Sequence, residues 1–422
     1  MLDPKFIRDN SKIVRDSTKK RGMDPNLVKV FLETDEEWRK IKGENDNLRS
    51  QRNKISQEIK QAKKEGKKID PILKKAKELP KKIELNEAKR KDLEERRQEL
   101  LETIPNILDK RVPVGDPTKN KTLKVYKKPT KPKFPPKGHE ELLVNLDQLD
   151  ISRAAKVSGA RFYYLKKDLA RLNHALINFA LELLHKKGFT VMQTPYMIKK
   201  EALKGAMNLA SFKDDVYKIE DEDLYLIGTA EHAINAYYMD EVIDVSKPIR
   251  FAGFSSCFRK ESGTHGKDTK GIFRVHQFEK VEQFIFCNPK DSWKEFELLK
   301  NNAIEIFKKL GIPFRTVILS SEDMNKIPTI TIDLEGWFPT QKAFRELGSC
   351  SNCLDYQARR SRIKYLEKNE RKLVHTLNNT AIATERMLAC IVENYQKKDG
   401  SIEIPKALQK YMGIKAIKPT KK

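Results

Sequence analysis

From Thr34 to Glu102 the apolar positions of this chain recur in alternating steps of three and four. Trp38, Ile41, Asn45, Leu48, Arg52, Ile55, Ile59 and Ala62 form one such row, the seam of a coiled coil. A second row, Ile72, Ala76, Leu79, Ile83, Asn86, Arg90, Leu93, Arg97 and Leu100, repeats the pattern. Between the rows lies Gly66-Lys67-Lys68-Ile69-Asp70-Pro71, with a glycine to end one helix and Asp-Pro to begin the next. The pattern predicts an antiparallel helical hairpin with limbs of about 30 residues and roughly 45 Å each. Asn45, Arg52, Asn86, Arg90 and Arg97 weaken the seam, and Pro80 should kink the second limb or delay its start. The segment from Met1 to about Val30 reads as a helix packed at the base of this arm.

The period dissolves after Thr103. Pro105, Pro113, Pro117, Pro129, Pro132, Pro135 and Pro136 then punctuate a lysine-rich stretch, the composition of an inter-domain connection. Beyond it, helical and alternating segments mix as in an α+β domain. The expected organisation is an N-terminal helix and arm over residues 1–103, a connection over 104–138, and a catalytic domain over 139–422.

Charge changes what that arm is for. The 422 residues carry 85 Lys+Arg against 60 Asp+Glu, a formal net charge of +25, which points to an anionic partner such as nucleic acid or nucleotide. Residues 51–100 alone hold 17 basic and 10 acidic side chains, so the arm is more basic per residue than the whole. An arm too narrow for a pocket, yet long and basic, suits tracking a phosphate backbone. Five scattered cysteines argue against a disulfide scaffold and fit a reducing compartment. No stretch approaches the ~18 apolar residues of a membrane span, so a cytoplasmic protein without a membrane partner is expected.

Candidate chemistry gathers in four segments. Arg250 to Phe286 reads as two strands flanking a polar loop with three glycines. Alternation puts Arg274, Phe278 and Glu282 on one face, about 13 Å apart, with Arg259 and Glu261 together on the partner strand. That face offers guanidinium for phosphate, a ring for a base and a carboxylate for an ammonium group. A second segment, Gly228-Thr229-Ala230-Glu231-His232, reads locally as a loop-to-helix junction with Thr229 as N-cap and His232 on the helix surface. In the third, Glu346 and Ser349 stand three residues apart, a pair suited to a hard cation such as Mg²⁺. Cys350 and Cys353 lack a second pair or a nearby histidine, so structural zinc is not expected. In the fourth, Asn378 and Thr380 precede a helix with Arg386 in its first turns, an arrangement that favours anions. With no Walker or Rossmann glycine pattern, nucleotide binding here requires an antiparallel sheet.

GTAEH, FRKESGTHGKDTKGIFRVHQFEKVE, RELGSCSNCLDYQARR and TLNNTAIATERMLACIVENYQ, in that order behind a basic hairpin, resemble the seryl-tRNA synthetase family. The likeness runs from MLDPKFIRDN to the tail IEIPKALQKYMG, and NNTAIATER is similar to the archaeal and eukaryotic form of the last motif. The resemblance implies a class II catalytic domain, with an antiparallel sheet flanked by helices, acting as a homodimer. Its first motif would run from about Asp168 through the Gly188 stop to a strand reaching Pro195. It further implies that ATP meets Arg259, Lys260, Glu261, Arg274, Val275, Phe278, Leu347, Gly348 and Arg386, with the adenine on Val275 and Phe278. Glu346 and Ser349 would hold Mg²⁺ on the triphosphate. Serine would lie against Thr229, Ala230, Glu231, Arg259, Glu282, Asn378 and Thr380. The implied reaction activates serine with ATP and transfers it to tRNA(Ser), and to tRNA(Sec) where that is present.

Arg259, Arg274 and Arg386 are all in place, which argues against a relative that only binds RNA. A relative that loads a carrier protein would have lost the arm, and a threonine-specific one would need metal ligands that Cys257 alone does not supply. Three departures stand out: Glu385 beside Arg386 where a small residue is common, His265 in the loop of the second motif, and Pro80.

Overall fold

The computed structural model describes residues 1–66, 70–129, 132–207, 215–262 and 270–419, with the backbone alone over 70–75. The chain forms two compact units, residues 2–107 and residues 108–422 with Met1.

In the smaller unit two short helices, α1 (Pro4–Asp9) and α2 (Ser11–Lys20), precede the hairpin limbs α3 (Asn26–Lys64) and α4 (Asp70–Thr103). At 39 and 34 residues the limbs reach about 58 and 51 Å, longer than the seam alone indicated. The limb α4 begins at Asp70 and runs through Pro80, so proline does not delay its start. Pro80 is exposed, where the intrahelical bond it removes can be replaced by water. The turn expected at Gly66–Pro71 lies partly outside the described residues.

Two polar seam residues, Asn45 and Arg97, find partners across the hairpin. Asn45 Nδ2 donates to Glu87 at 2.9 Å, and Arg49 meets the same carboxylate at 3.2 Å. Near the base, the fully buried Asp35 carboxylate gathers Arg97 at 2.6 Å, Arg8 at 2.8 Å and Arg39 at 3.1 Å. Burial alone would raise the Asp35 carboxyl, but hydrogen bonds from Arg97 and Arg8 outweigh it and hold it below the usual range. Arg97 also stacks over Trp38 at 4.7 Å.

The larger unit is built on an eight-stranded sheet: β1 (Lys121–Val125), β2 (Thr190–Gln193), β3 (Ile249–Phe258), β4 (Gln277–Cys287), β5 (Phe314–Ile318), β6 (Ile330–Phe338), β7 (Ala343–Leu354) and β8 (His375–Ala383). The spatial order is β1-β5-β6-β7-β8-β4-β3-β2, antiparallel throughout except the β3–β2 pair. The strand β1 arises inside the segment read as a connection. Thr122, Leu123 and Val125 are β-formers bounded by Pro117 and Pro129, and they zip onto β5 as an exposed edge. Composition over 104–138 averaged that short run away.

Three helices, α5 (Lys167–Lys186), the helix Ser292–Leu310 and the helix Thr384–Tyr395, share one large apolar core with the sheet through Leu176, Phe296, Phe307, Ile285, Leu377 and Leu388. The helix α5 stops at Gly188, whose φ of +83° suits only glycine, and the chain enters β2. The opposite face of the sheet is divided. Phe251, Phe284 and Phe286 pack under the helices Ala230–Asn235 and Tyr356–Ser361, forming a smaller apolar cluster with Ile234 and Ala358. Further along, that face turns polar and opens.

Candidate active site

Strand alternation decides which side chains reach that opening. On β4, Val281 and Ile285 point into the main core, while Lys280 and Glu282 point the other way. Gly253, Glu282 and Thr380 stand in one row across β3, β4 and β8. A side chain at Gly253 would put its Cβ 2.4 Å from Ile234 Cδ1, so glycine lets the helix Ala230–Asn235 settle on the sheet. That contact delivers Thr229 and Glu231 to the row from above.

The result is a cavity of about 680 Å³ whose lining includes Thr229, Glu231, Lys280, Glu282, Asn378 and Thr380. Thr229 is the N-cap of its helix, accepting from the Glu231 amide at 3.3 Å, and its hydroxyl lies 3.3 Å from Glu282. Thr380 Oγ1 approaches the same carboxylate at 3.4 Å, and Lys280 pairs with it. Glu231 accepts from Asn378 and Gln357, both at 2.7 Å. Burial, and after it the charge of Glu282, push the Glu231 carboxyl up to about 7. His232 is buried rather than on the helix surface: its Nδ1 accepts from the Gly228 amide at 3.3 Å, and burial presses it down to about 3. Ala230 is fully buried in the apolar cluster beneath the helix, and its side chain does not reach the cavity.

A narrower slot of about 60 Å³ adjoins this cavity, and Arg259, Glu261, Arg274, Lys280, Glu346 and Thr380 line both. Val275, Phe278, Leu347, Gly348 and Arg386 line the slot alone. Arg259 lies over the Phe278 ring at 5.1 Å and donates to Gly228 O at 3.2 Å. Arg386 pairs with Glu346 at 3.0 Å and rests on Phe273 at 5.1 Å. Arg274 and Glu261 form an ion pair at 3.0 Å, but not as strand residues. The strands end at Phe258 and begin at Gln277, so Arg259, Glu261 and Arg274 sit on the turns just beyond them. The expected single-face spacing holds for Phe278 and Glu282 only. Lys260 is exposed, with Nζ over Tyr217 at 5.7 Å, and lines neither cavity.

Glu346 and Ser349 both line the larger cavity on β7. Asp333 of β6 stands opposite Ser349 in the register, buried, with one carboxylate oxygen lacking a hydrogen-bond partner. The Arg386 charge, ahead of the opposing effect of burial, holds Glu346 below its usual range. Burial, and after it Glu346, push Asp333 well above. This donor set is all oxygen, which fits a hard cation. Among the described residues no group of three His, Cys, Asp or Glu side chains is gathered as a metal site. Cys350 and Cys353 face opposite ways: Cys350 lies in the main core near Phe296 O, Cys353 in the cavity wall. His265 lies outside the described residues.

Two family models match the chain: the seryl-tRNA synthetase N-terminal domain over residues 1–108, and the tRNA synthetase class II core domain (G, H, P, S and T) over residues 216–395. A serine–tRNA ligase of Cenarchaeum symbiosum is 47% identical over 420 residues, covering 99% of this chain and 100% of the relative. The chain belongs to the seryl-tRNA synthetase family. Solved structures agree. The seryl-tRNA synthetase from Pyrococcus horikoshii complexed with ATP superposes with a TM-score of 0.94 at 42% identity, covering 100% of both chains. The cytoplasmic serine–tRNA ligase from Naegleria fowleri in complex with AMP gives 0.88 at 38%, covering 100% of this chain and 99% of that one.

Three residues of this synthetase fold were missed by sequence reasoning. Gln357 lay inside a motif quoted for its cysteines, yet it is buried and holds Glu231 while accepting from Thr376 at 2.7 Å. Asp333 and Glu335 follow Thr331 at alternate positions of a strand whose other side chains are apolar, a signal that was there to find. Glu335 is tied to Arg315 at 2.6 Å, and both carboxylates line the larger cavity.

Proposed function

We propose that this chain charges tRNA(Ser) with serine, and tRNA(Sec) where present, in two steps. Serine and ATP first form seryl-adenylate and pyrophosphate; a terminal ribose hydroxyl of the tRNA then takes the seryl group and releases AMP. The observation that carries this reading is that Arg259 and Arg274 line both the polar cavity and the adjoining slot, so an amino acid in one can meet a nucleotide in the other. The relatives that cover the whole chain are named as serine–tRNA ligases.

The chemistry asks for placement more than for a base, because a carboxylate nucleophile is already ionised at neutral pH. Arg259 is positioned to hold the amino acid carboxylate beside the α-phosphate, and Arg274 and Arg386 to meet the charge that gathers on phosphorus. Phe278 offers a ring face to the adenine. Glu346 and Ser349, with Asp333 behind them, would hold Mg²⁺, which supplies positive charge to the triphosphate. Glu231, Glu282, Thr229, Asn378 and Thr380 offer acceptors and donors to an ammonium and a hydroxyl. A buried polar site of this kind rejects an analogue without the hydroxyl, since its own groups would be left unpaired. The basic hairpin would take the tRNA backbone. Assembly as a homodimer in the cytoplasm belongs to the same proposal, with the short edge strand β2 and its exposed Val191 as the surface to be covered.

Serine-dependent exchange of pyrophosphate into ATP tests the reading, with serine, threonine, alanine and glycine compared side by side in Mg²⁺ and without tRNA. Exchange with serine alone is expected; none with any of the four would leave only an RNA-binding role. A pH series adds a second check. An ammonium group binds the ionised form of Glu231, whose carboxyl is pushed up to about 7 by burial and faces Glu282, Lys280 and Arg259. Lowering the pH from 8 to 6 protonates it, so KM for serine should rise about tenfold. Glu231→Gln should flatten that dependence, and an equally steep profile in the variant would remove Glu231 from the ammonium site.

A further inference from the structure

The residue beside Arg386 is a glutamate buried at the edge of the slot. Glu385 is 2% exposed and lines the slot together with Phe278, Ala383 and Arg386. It turns back to accept the Glu279 amide at 3.0 and 3.2 Å and the Tyr163 hydroxyl in a short hydrogen bond, with Thr384 Oγ1 at 2.9 Å.

The strand register explains why an acceptor is needed there. Ala383 and Lys280 are the last pair between β8 and β4, so Glu279 lies one residue past the end of that ladder. Its amide, partly shielded from water and beyond the ladder, needs an acceptor. The chain has by then turned into the helix Thr384–Tyr395, and the Glu385 side chain supplies the missing acceptor. An acidic residue in a first helical turn is also favourably placed against the helix dipole. One carboxylate therefore joins three parts: the helix start that carries Arg386, the strand start that carries Phe278, and the segment before Tyr164. That last segment is itself fixed to the second motif, because Arg161 O accepts the His276 amide at 3.1 Å and Phe162 packs on the His276 ring at 5.3 Å.

We propose that Glu385 is a positioning residue for the nucleotide: by completing the β4 ladder beyond β8 it fixes the spacing between Phe278 and Arg386, the two walls of the slot. It touches neither phosphate nor serine. The inference rests on the reading of the slot as the ATP site, and on no assignment in the serine cavity. Losing a buried acceptor for a backbone amide and a tyrosine hydroxyl loosens the slot, while Glu231, Glu282 and Thr380 keep their own partners.

Titration calorimetry of ATP in Mg²⁺, without serine, reads the effect on the full-length protein, alongside KM values from pyrophosphate exchange. Glu385→Ala is expected to weaken ATP binding about tenfold and to raise KM for ATP in step, with KM for serine within about twofold. Glu385→Gln keeps one acceptor oxygen and should recover about half of that loss on a logarithmic scale. ATP binding equal to wild type in Glu385→Ala would overturn the proposal, and so would equal losses for ATP and serine. If Glu385→Ala does not fold, Tyr163→Phe decides: about a threefold weaker ATP affinity supports the positioning role, and an unchanged one overturns it. Failure of the wild-type protein to bind ATP at all would instead sink the reading of the slot.

Discussion

Arg386→Ala is expected to slow serine-dependent pyrophosphate exchange by about a hundredfold to a thousandfold while leaving the fold intact. The reason lies in what surrounds the guanidinium. It rests on Phe273, whose ring also meets Arg345 at 4.8 Å, and it pairs with Glu346 at 3.0 Å. Preorganised positive charge of this kind needs no rearrangement when charge develops on phosphorus. The alanine variant also strips Glu346 of the charge that holds its carboxyl down, beside Asp333. The cation site proposed at Glu346 and Ser349 would then carry unbalanced carboxylates, so the Mg²⁺ dependence of exchange should shift as well. Arg386→Lys keeps the charge but not the planar fork, and should fall between. Single-turnover rates separate chemistry from binding, and wild-type kinetics in the alanine variant would end the phosphate role of Arg386.

Shortening the arm should have the opposite selectivity. Removing residues 46–86 and closing the gap with a glycine-rich turn is expected to abolish tRNA charging while exchange stays within about twofold of wild type. Asn45 and Glu87 face each other across the hairpin, so the cut ends meet. The base cluster of Asp35, Arg97 and Trp38 survives, which keeps Phe31 and Leu101 buried. A backbone-tracking arm contributes through counterion release, so the charging activity of the intact protein should fall steeply with added salt and exchange should not. Equal loss of charging and exchange would mean that the limbs serve only the architecture.

The hairpin was readable because its signal is local. Steps of three and four place side chains on one helix face whatever the rest of the chain does; the limbs reach further than the seam indicated, and Pro80 does not delay the start of the second. The edge strand β1 was hidden for the converse reason: five residues in a proline- and lysine-rich stretch become a strand only because β5 is there to pair with. The arginines of the second motif were named from their residue types, yet strand alternation was extended past the true strand ends to Arg274 and Glu261.

The linear sequence determined the hairpin, the sign of the charge along it, and the identity and order of the motifs, since these follow from neighbours within a few residues. Which groups share one cavity was decided by the tertiary structure alone. Thr380 reaches Glu282 across 98 positions and Asn378 reaches Glu231 across 147, contacts that exist only once the strands have taken their order. The same holds for Asp333 opposite Ser349 and for the inward turn of Glu385. A carboxylate's role depends on which donors surround it, and those donors come from strands and helices brought together by burying the core.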